Sequence, residues 1–233
     1  MIEIQEITKY FDTFPALRQV SFSIPDGAVY GLVGTNGAGK TTFLRMAAGI
    51  LKPEEGQILV DRQPVYENDH IKQKLFYLPD SPYYLFHATP RRMAAFYRRL
   101  YPDFDLERCM ELHEQFRLPL AKKLRTFSKG MKKQSAILCA LCTNVPYLLC
   151  DEIFDGLDPL VRRQLCEILR QEKNFRPLTM VIASHNLQEL TEICTHIGML
   201  HQGGIRMARE FHPEEFREVT LEDLFLEKGG PLP

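Results

Sequence analysis

Eight consecutive residues, Gly34-Thr35-Asn36-Gly37-Ala38-Gly39-Lys40-Thr41, fit the pattern G-x-x-x-x-G-K-[ST]. Glycines let successive backbone N–H groups curl around phosphate oxygens, and a helix starting at the last of them turns its positive end toward that charge. In this pattern Lys40 neutralises β- and γ-phosphate charge, Thr41 offers a hydroxyl to Mg²⁺, and Thr42 completes the phosphate-facing set. About 110 residues on, Tyr147-Leu148-Leu149-Cys150 reads as a buried strand that ends in two adjacent carboxylates, Asp151 and Glu152. Asp151 would hold Mg²⁺ through its water shell, and Glu152 would take a proton from an attacking water. Together the two segments imply hydrolysis of a nucleoside triphosphate.

Such groups need a strand–loop–helix scaffold, and the surrounding pattern supplies one. Ile2, Ile4 and Ile7 alternate roughly and Val20, Phe22 and Ile24 strictly, whereas the continuous apolar run from Ala28 to Val33 predicts a central strand covered on both faces. Lys40 to Ile50 carries apolar residues at helical spacing, with Gly49 and Pro53 marking its exit. Gly56–Val60 and Leu75–Leu78 read as further strands, and Thr89 to Asn144 as mainly helical. Strand–helix alternation then resumes with Tyr147–Cys150, Leu160–Gln171, Leu178–Ala183, Asn186–Cys194 and Ile197–His201, followed by a Gly203-Gly204 turn. Leu221–Leu226 reads as a last helix and Gly229-Gly230-Pro231 as a frayed end.

Composition narrows the function classes. Lys and Arg total 29 against 30 Asp and Glu, so no whole-chain field recruits a nucleic acid or an anionic membrane, and no nucleic-acid partner is expected. The basic cluster Lys122, Lys123, Arg125, Lys129, Lys132 and Lys133 reads as a solvated helical face. The first residues lack a basic stretch followed by an apolar one, which argues against an export signal. The longest apolar tract, Ala136 to Cys150, is broken by Pro146 and falls short of the ~20 residues a membrane span needs. Six cysteines without CxxC spacing are expected to be buried, reduced thiols.

Further segments carry a family resemblance. Phe127-Ser128-Lys129-Gly130-Met131 resembles the LSGGQ signature of ABC-type ATPases, and Gly156-Leu157-Asp158 looks like their D-loop. His185, after Val181-Ile182-Ala183-Ser184, looks like their switch histidine. Asp80 stands where they usually carry a Q-loop glutamine, and Phe11 matches the aromatic that stacks on adenine, with Tyr10 and Phe14 as neighbours that compete for that role. The motifs run in family order from about residue 2 to about residue 226. Three departures stand out: Lys129 replaces a signature glycine and Met131 the usual glutamine, Asp80 is shorter than glutamine, and Ile153 replaces a proline. None removes a catalytic group.

The resemblance implies an α/β fold: a P-loop NTPase (RecA-like) core, about 1–80 and 145–210, with an antiparallel β subdomain and an inserted helical subdomain, about 82–144. Residues 1–226 would form one nucleotide-binding domain and 227–233 a tail. The resemblance implies ATP and Mg²⁺ as ligands. Glu152, His185 and Lys40 would be catalytic, and Thr41, Asp80 and Asp151 would hold the metal. Phe11, Gly34 to Thr42, Asp80, Ser128, Gly130 and Asp158 would bind nucleotide. It implies a nucleotide-sandwich dimer in which Ser128 and Gly130 serve the partner's ATP, and a separate integral-membrane subunit that would hold the chain at the inner face of the cell membrane. The Ser-Lys-Gly-Met signature resembles bacterial exporters of drugs and antimicrobial peptides. A soluble ABC-type ATPase acting on nucleic acid or ribosomes is the alternative, but those usually carry two nucleotide domains or a long coiled coil. A GTPase is disfavoured because no N-K-x-D occurs.

Overall fold

A computed structural model describes residues 1–212. The segments read as a last helix and a frayed end lie outside the described residues. Six strands form one sheet in the order β10-β9-β3-β8-β7-β6. Five of these run parallel: β3 (Val29–Val33), β6 (Leu75–Leu78), β7 (Tyr147–Asp151), β8 (Thr179–Ser184) and β9 (His196–His201), while β10 (Gly204–Glu210) pairs antiparallel to β9.

Every residue of β3, β7 and β8 is buried, which is why these segments read as unbroken apolar runs. Their side chains still alternate between two cores. Val29, Val33, Leu148, Cys150, Met180 and Ile182 face one; Tyr30, Leu32, Tyr147, Leu149, Val181 and Ala183 face the other. The second core lies under α1 (Lys40–Ala47) and a four-stranded antiparallel sheet in the order β2-β1-β4-β5. That sheet comprises β1 (Ile2–Phe11), β2 (Phe14–Ile24), β4 (Glu55–Val60) and β5 (Gln63–Pro64). The first core is covered by helices inserted between β6 and β7: α3 (Pro90–Leu100), α4 (Leu106–Gln115) and α5 (Lys129–Leu141), with α6 (Pro159–Phe175) behind β7. The α/β architecture, the antiparallel sheet and the helical insertion are those expected.

Several boundaries differ from the pattern reading. Helix α1 stops at Ala47, because the left-handed Gly49 (φ 66°) turns the chain and donates its N–H to Met46 O at 2.9 Å. Only Leu187–Leu190 of the Asn186–Cys194 segment is helical (α7). Two short elements, β5 and α2 (Asp69–Lys72), were not anticipated, nor was β10 beyond the Gly203-Gly204 turn. All six cysteines are unpaired and buried, as expected. No helix among the described residues is long and apolar enough to cross a membrane.

Close packing at the centre of the sheet depends on one small residue. A Cβ on Gly198 of β9 would lie 2.3 Å from Tyr30 Oη and 2.8 Å from the ring, and that hydroxyl is itself buried without a hydrogen-bond partner. Gly198→Ala should therefore destabilise the fold by about 1–3 kcal/mol in denaturant unfolding. Adding Tyr30→Phe, which removes the clashing and unsatisfied oxygen, should recover part of the loss.

Candidate active site

The phosphate-loop segment leaves β3 at Val33 and enters α1 at Lys40. Backbone packing explains its glycines. A Cβ on Gly34 would sit 2.4 Å from Leu200 O, and one on Gly39, at φ 106°, 2.6 Å from Ala16 O. Gly37, at φ 82°, has nothing within 4 Å of a notional Cβ, so the loop opens onto free space there. Helix α1 is also capped differently. Among the seven α-helices of the described residues, the other six have an N-cap side chain (Asn68, Thr89, Asp105, Ser128, Asp158 or Asn186) that accepts a backbone N–H, while α1 has Gly39 and no side-chain cap. Its first amides are left for an external acceptor, at the positive end of the helix.

Lys40 is nearly buried. Its ammonium donates to Gly34 O at 2.7 Å and Thr35 O at 3.2 Å and lies 3.4 Å from Glu152 Oε1. The parallel pairing of β7 beside β8, and of β8 beside β3, brings Asp151 to the start of α1. There Thr41 Oγ1 donates to Asp151 Oδ2 at 2.8 Å, and the Tyr77 hydroxyl approaches the same oxygen at 3.4 Å. Asp151 Oδ1 is buried with no hydrogen-bond partner. Burial, and then the charges of Glu152 and Asp80, push the Asp151 carboxyl above its ordinary range against the opposing Thr41 hydrogen bond. A carboxylate in that state favours a cation, and the adjacent Thr41 hydroxyl supplies a second hard oxygen, so the donor set fits Mg²⁺.

Glu152 follows Asp151 in the left-handed region, at φ 48°, a strained conformation for a residue with a side chain. Its N–H donates to Ala183 O at 2.9 Å. Its carboxylate accepts from His185 at Oε2, from Nδ1 at 2.9 Å and the backbone N–H at 3.3 Å. Because an ionised carboxylate only accepts, this pairing puts a proton on His185 Nδ1. Direct polar contacts thus join Lys40, Glu152 and His185 in one set and Thr41 and Asp151 in another beside it.

A cleft of about 330 Å³ opens in front of them, lined by Phe11, Phe14, Ala16, the segment Asn36 to Thr42, Asp80 and Glu152. Phe11 and Phe14 close the β1–β2 hairpin and are both exposed. Phe14, the competitor for adenine stacking, therefore stands beside Phe11 at the cleft.

The remaining expected residues lie elsewhere. Ser128 is the exposed N-cap of α5, accepting from Met131 N at 3.2 Å, and Gly130 faces the Gly156 carbonyl. Asp158 caps α6 through Leu160 N at 2.9 Å. None of the three lines the cleft. Two contributions escaped sequence reasoning: the Tyr77 hydroxyl on Asp151, and Lys133. The latter is no part of a solvated face, since its side chain is 1% exposed and its ammonium bonds Asp80 Oδ1 at 2.8 Å. Its helical spacing to the buried Ile137 and Leu141 was the available signal.

Comparison with known proteins decides the family. The ABC transporter family model matches residues 17–155, a stretch that holds the phosphate loop, the signature segment and the Asp151-Glu152 pair. The chain belongs to the ABC transporter family, as an ATP-binding subunit. The ABC transporter ATP-binding protein YtrB of Bacillus subtilis is 32% identical over 223 residues, covering 95% of this chain and 75% of YtrB. The lantibiotic transport ATP-binding protein SrtF of Streptococcus pyogenes is 28% identical, covering 97% of this chain and 96% of SrtF. Among solved structures, a dimeric ATP-binding cassette in a post-hydrolysis state bound to ADP and Pi superposes with a TM-score of 0.81 at 21% identity, over 91% of this chain and 99% of that one. This ABC subunit binds ATP with Mg²⁺ and hydrolyses ATP. When bound, Mg²⁺ offsets triphosphate charge and orients the phosphates for attack.

Replacing the buried carboxylate isolates its cost. Asp151→Asn should abolish the Mg²⁺-dependent part of ATP affinity in calorimetry and lower turnover by about 100-fold or more. The folded Asp151 carboxyl is raised above its unfolded value near 3.9, so the stability it contributes is present at lower pH and is lost as pH rises through the folded value. Without nucleotide, the melting temperature of Asp151→Asn relative to the native chain should therefore rise as pH increases from about 4.

Proposed function

We propose that the chain is the ATP-hydrolysing subunit of a membrane exporter and works as a nucleotide-sandwich dimer. The carrying observation is the separation of the signature segment from the cleft. Ser128 and Lys129 are exposed at the start of α5, and neither they nor Gly130 line the space in front of Lys40. Set apart from that cleft, the helix N-terminus and hydroxyl at Ser128 would meet a phosphate held beside Lys40 only when presented by a second copy. Residues 1–226 then act as one nucleotide-binding domain.

In this reading each residue has a defined task. Phe11, with Phe14 beside it, stacks the adenine; the amides of the loop from Gly34 to Gly39 and of Thr42 cradle phosphate oxygens. Lys40 exchanges its loop carbonyls and Glu152 for phosphate charge. Thr41 and Asp151 hold the metal, with Asp80 at the rim. Glu152 takes the proton from water, and His185 fixes that carboxylate and faces the γ-phosphate. The partner contributes Ser128, Gly130 and Asp158 from its own surface.

Converting a mostly open population to a mostly closed one requires about 5.5 kcal/mol of differential binding. Several charge-assisted contacts formed together in a dehydrated seam are of that order. Hydrolysis removes them and the dimer reopens. The motion needs a recipient, and the loop after Asp80 offers one. Tyr83, Leu85 and Phe86 are exposed there, Phe86 to 87%, whereas Tyr84 packs inward beneath Lys132. Exposed aromatic and aliphatic groups suit a helix from a membrane subunit, which would keep the chain at the cytoplasmic face of the membrane. The lantibiotic transport role of SrtF and the resemblance of the signature to exporters support outward transport.

Glu152→Gln should keep ATP affinity within about threefold, lower turnover by more than about 100-fold, and elute as a dimer in size-exclusion chromatography with ATP; a monomer at every ATP concentration would overturn the shared-site reading. Phe86→Asp should leave the ATPase rate of the isolated chain unchanged and reduce co-purification with the membrane subunit, by about tenfold for loss of one buried aromatic contact.

A further inference from the structure

Lys133 stands apart from the other lysines of α5. Its side chain is 1% exposed, and a buried ammonium is tolerated only when its protons are all bonded. Here they are, by acceptors on two loops. Nζ donates to Asp80 Oδ1 at 2.8 Å, to Glu152 O at 2.6 Å and to Asp155 O at 3.1 Å. The first acceptor belongs to the segment after β6, and the other two to the one turn that leads from β7 to Asp158. Lys133 itself sits on α5, one turn beyond the exposed Ser128.

The Glu152 contact has the most direct consequence. Glu152 is held in the left-handed region, and its two backbone polar groups are both engaged: its N–H donates to Ala183 O, and its C=O accepts from Lys133 Nζ at 2.6 Å and, at the longer distance of 3.2 Å, from Asp155 N–H. Fixing both ends of a strained residue fixes where its side chain leaves the backbone, which sets the carboxylate beside Lys40 and His185. Lys129, four residues earlier, reinforces the arrangement by pairing with Asp155 Oδ2 at 2.7 Å.

We propose that Lys133 is a positioning residue for Glu152: its buried ammonium ties the Asp80 segment and the Glu152–Asp155 turn to α5, so that the placement of α5 sets the aim of the carboxylate. Movement of α5 against the sheet then changes the orientation of Glu152 directly. The inference rests on Glu152 as the base, and the experiment is arranged to separate the two claims.

The full chain is compared with Lys133→Met, Asp80→Ala and Glu152→Gln. Lys133→Met should lower kcat for Mg-ATP by about 100-fold, the effect of misplacing a catalytic group by about 1 Å, while KM and the calorimetric affinity for ADP stay within about threefold. Without nucleotide, amide hydrogen exchange at residues 152–156 should quicken by about tenfold in Lys133→Met and measurably in Asp80→Ala, with α1 unchanged. A lysine that only supports packing would lose protection throughout α5 and its neighbours and would not separate kcat from KM. A folded Lys133→Met with kcat within about threefold of the native chain overturns the proposal. Should Lys133→Met fail to fold, Asp80→Ala decides, because Asp80 lies at the rim with 42% of its side chain exposed; unchanged exchange at 152–156 then overturns it. Should Glu152→Gln remain active, the reading of Glu152 as base fails, and the exchange data alone judge the positioning role.

Discussion

The phosphate-facing groups of this chain line one side of a cleft that Ser128, Gly130 and Asp158 do not reach, and the proposed account depends on that constraint. The parallel sheet brings the end of β7 beside the start of α1, where Thr41 and Asp151 share a 2.8 Å hydrogen bond across a long stretch of sequence. The uncapped N-terminus of α1 and the nearly buried Lys40 line one cleft, and the buried, unpartnered Asp151 Oδ1 lies on the residue bonded to Thr41 at its edge. Each is costly without a ligand, as a bare helix end, a shielded cation or a desolvated carboxylate. Mg-ATP complements all of them: phosphate oxygens for the amides and the ammonium, and a cation for the carboxylate.

The contacts among these groups also bear on the proposed cycle. Lys40 rests on loop carbonyls and 3.4 Å from Glu152, which in turn accepts from His185. In the proposed mechanism an arriving γ-phosphate would compete for Lys40 and His185, so phosphate binding and the release of Glu152 toward water would be linked by the same charges. Lys133 would add a mechanical link, since it ties the backbone of Glu152 to the helix that carries the signature segment. The departures from the usual family motifs then fall into one neighbourhood: Asp80 is the counter-ion of Lys133, and Lys129 pairs with Asp155.

Much of this was legible in the sequence because the relevant segments obey strong local rules. The runs in β3, β7 and β8 are apolar throughout because both sheet faces are covered, and the glycines at 34 and 39 are required by backbone approaches of 2.4 and 2.6 Å. The short elements were not legible. A two-residue β5 and a four-residue α2 offer too little length for any periodicity to register, and α1 ended early because Gly49 adopts a left-handed turn before the apolar pattern stops. Lys133 was hidden by composition: amid other cations it reads as surface, and only its partners, Asp80 and two carbonyls distant in sequence, explain its burial. The resemblance already implied that Ser128 and Gly130 serve a partner's ATP, and their placement away from this chain's cleft agrees with that, although residue spacing alone could not supply it.

Complementation between two inactive variants tests the shared centre most directly. Lys40→Ala lacks the phosphate-binding cation and Ser128→Ala lacks the signature hydroxyl, so each alone should be nearly without ATPase activity. Mixed, they can form a pair in which one centre joins an intact Lys40 to an intact Ser128, and turnover should reappear as the two proteins are combined. If the mixture stays as inactive as its components while a mixed pair is detected, or if Ser128→Ala alone retains full activity, the centre is completed within one polypeptide and the account is wrong.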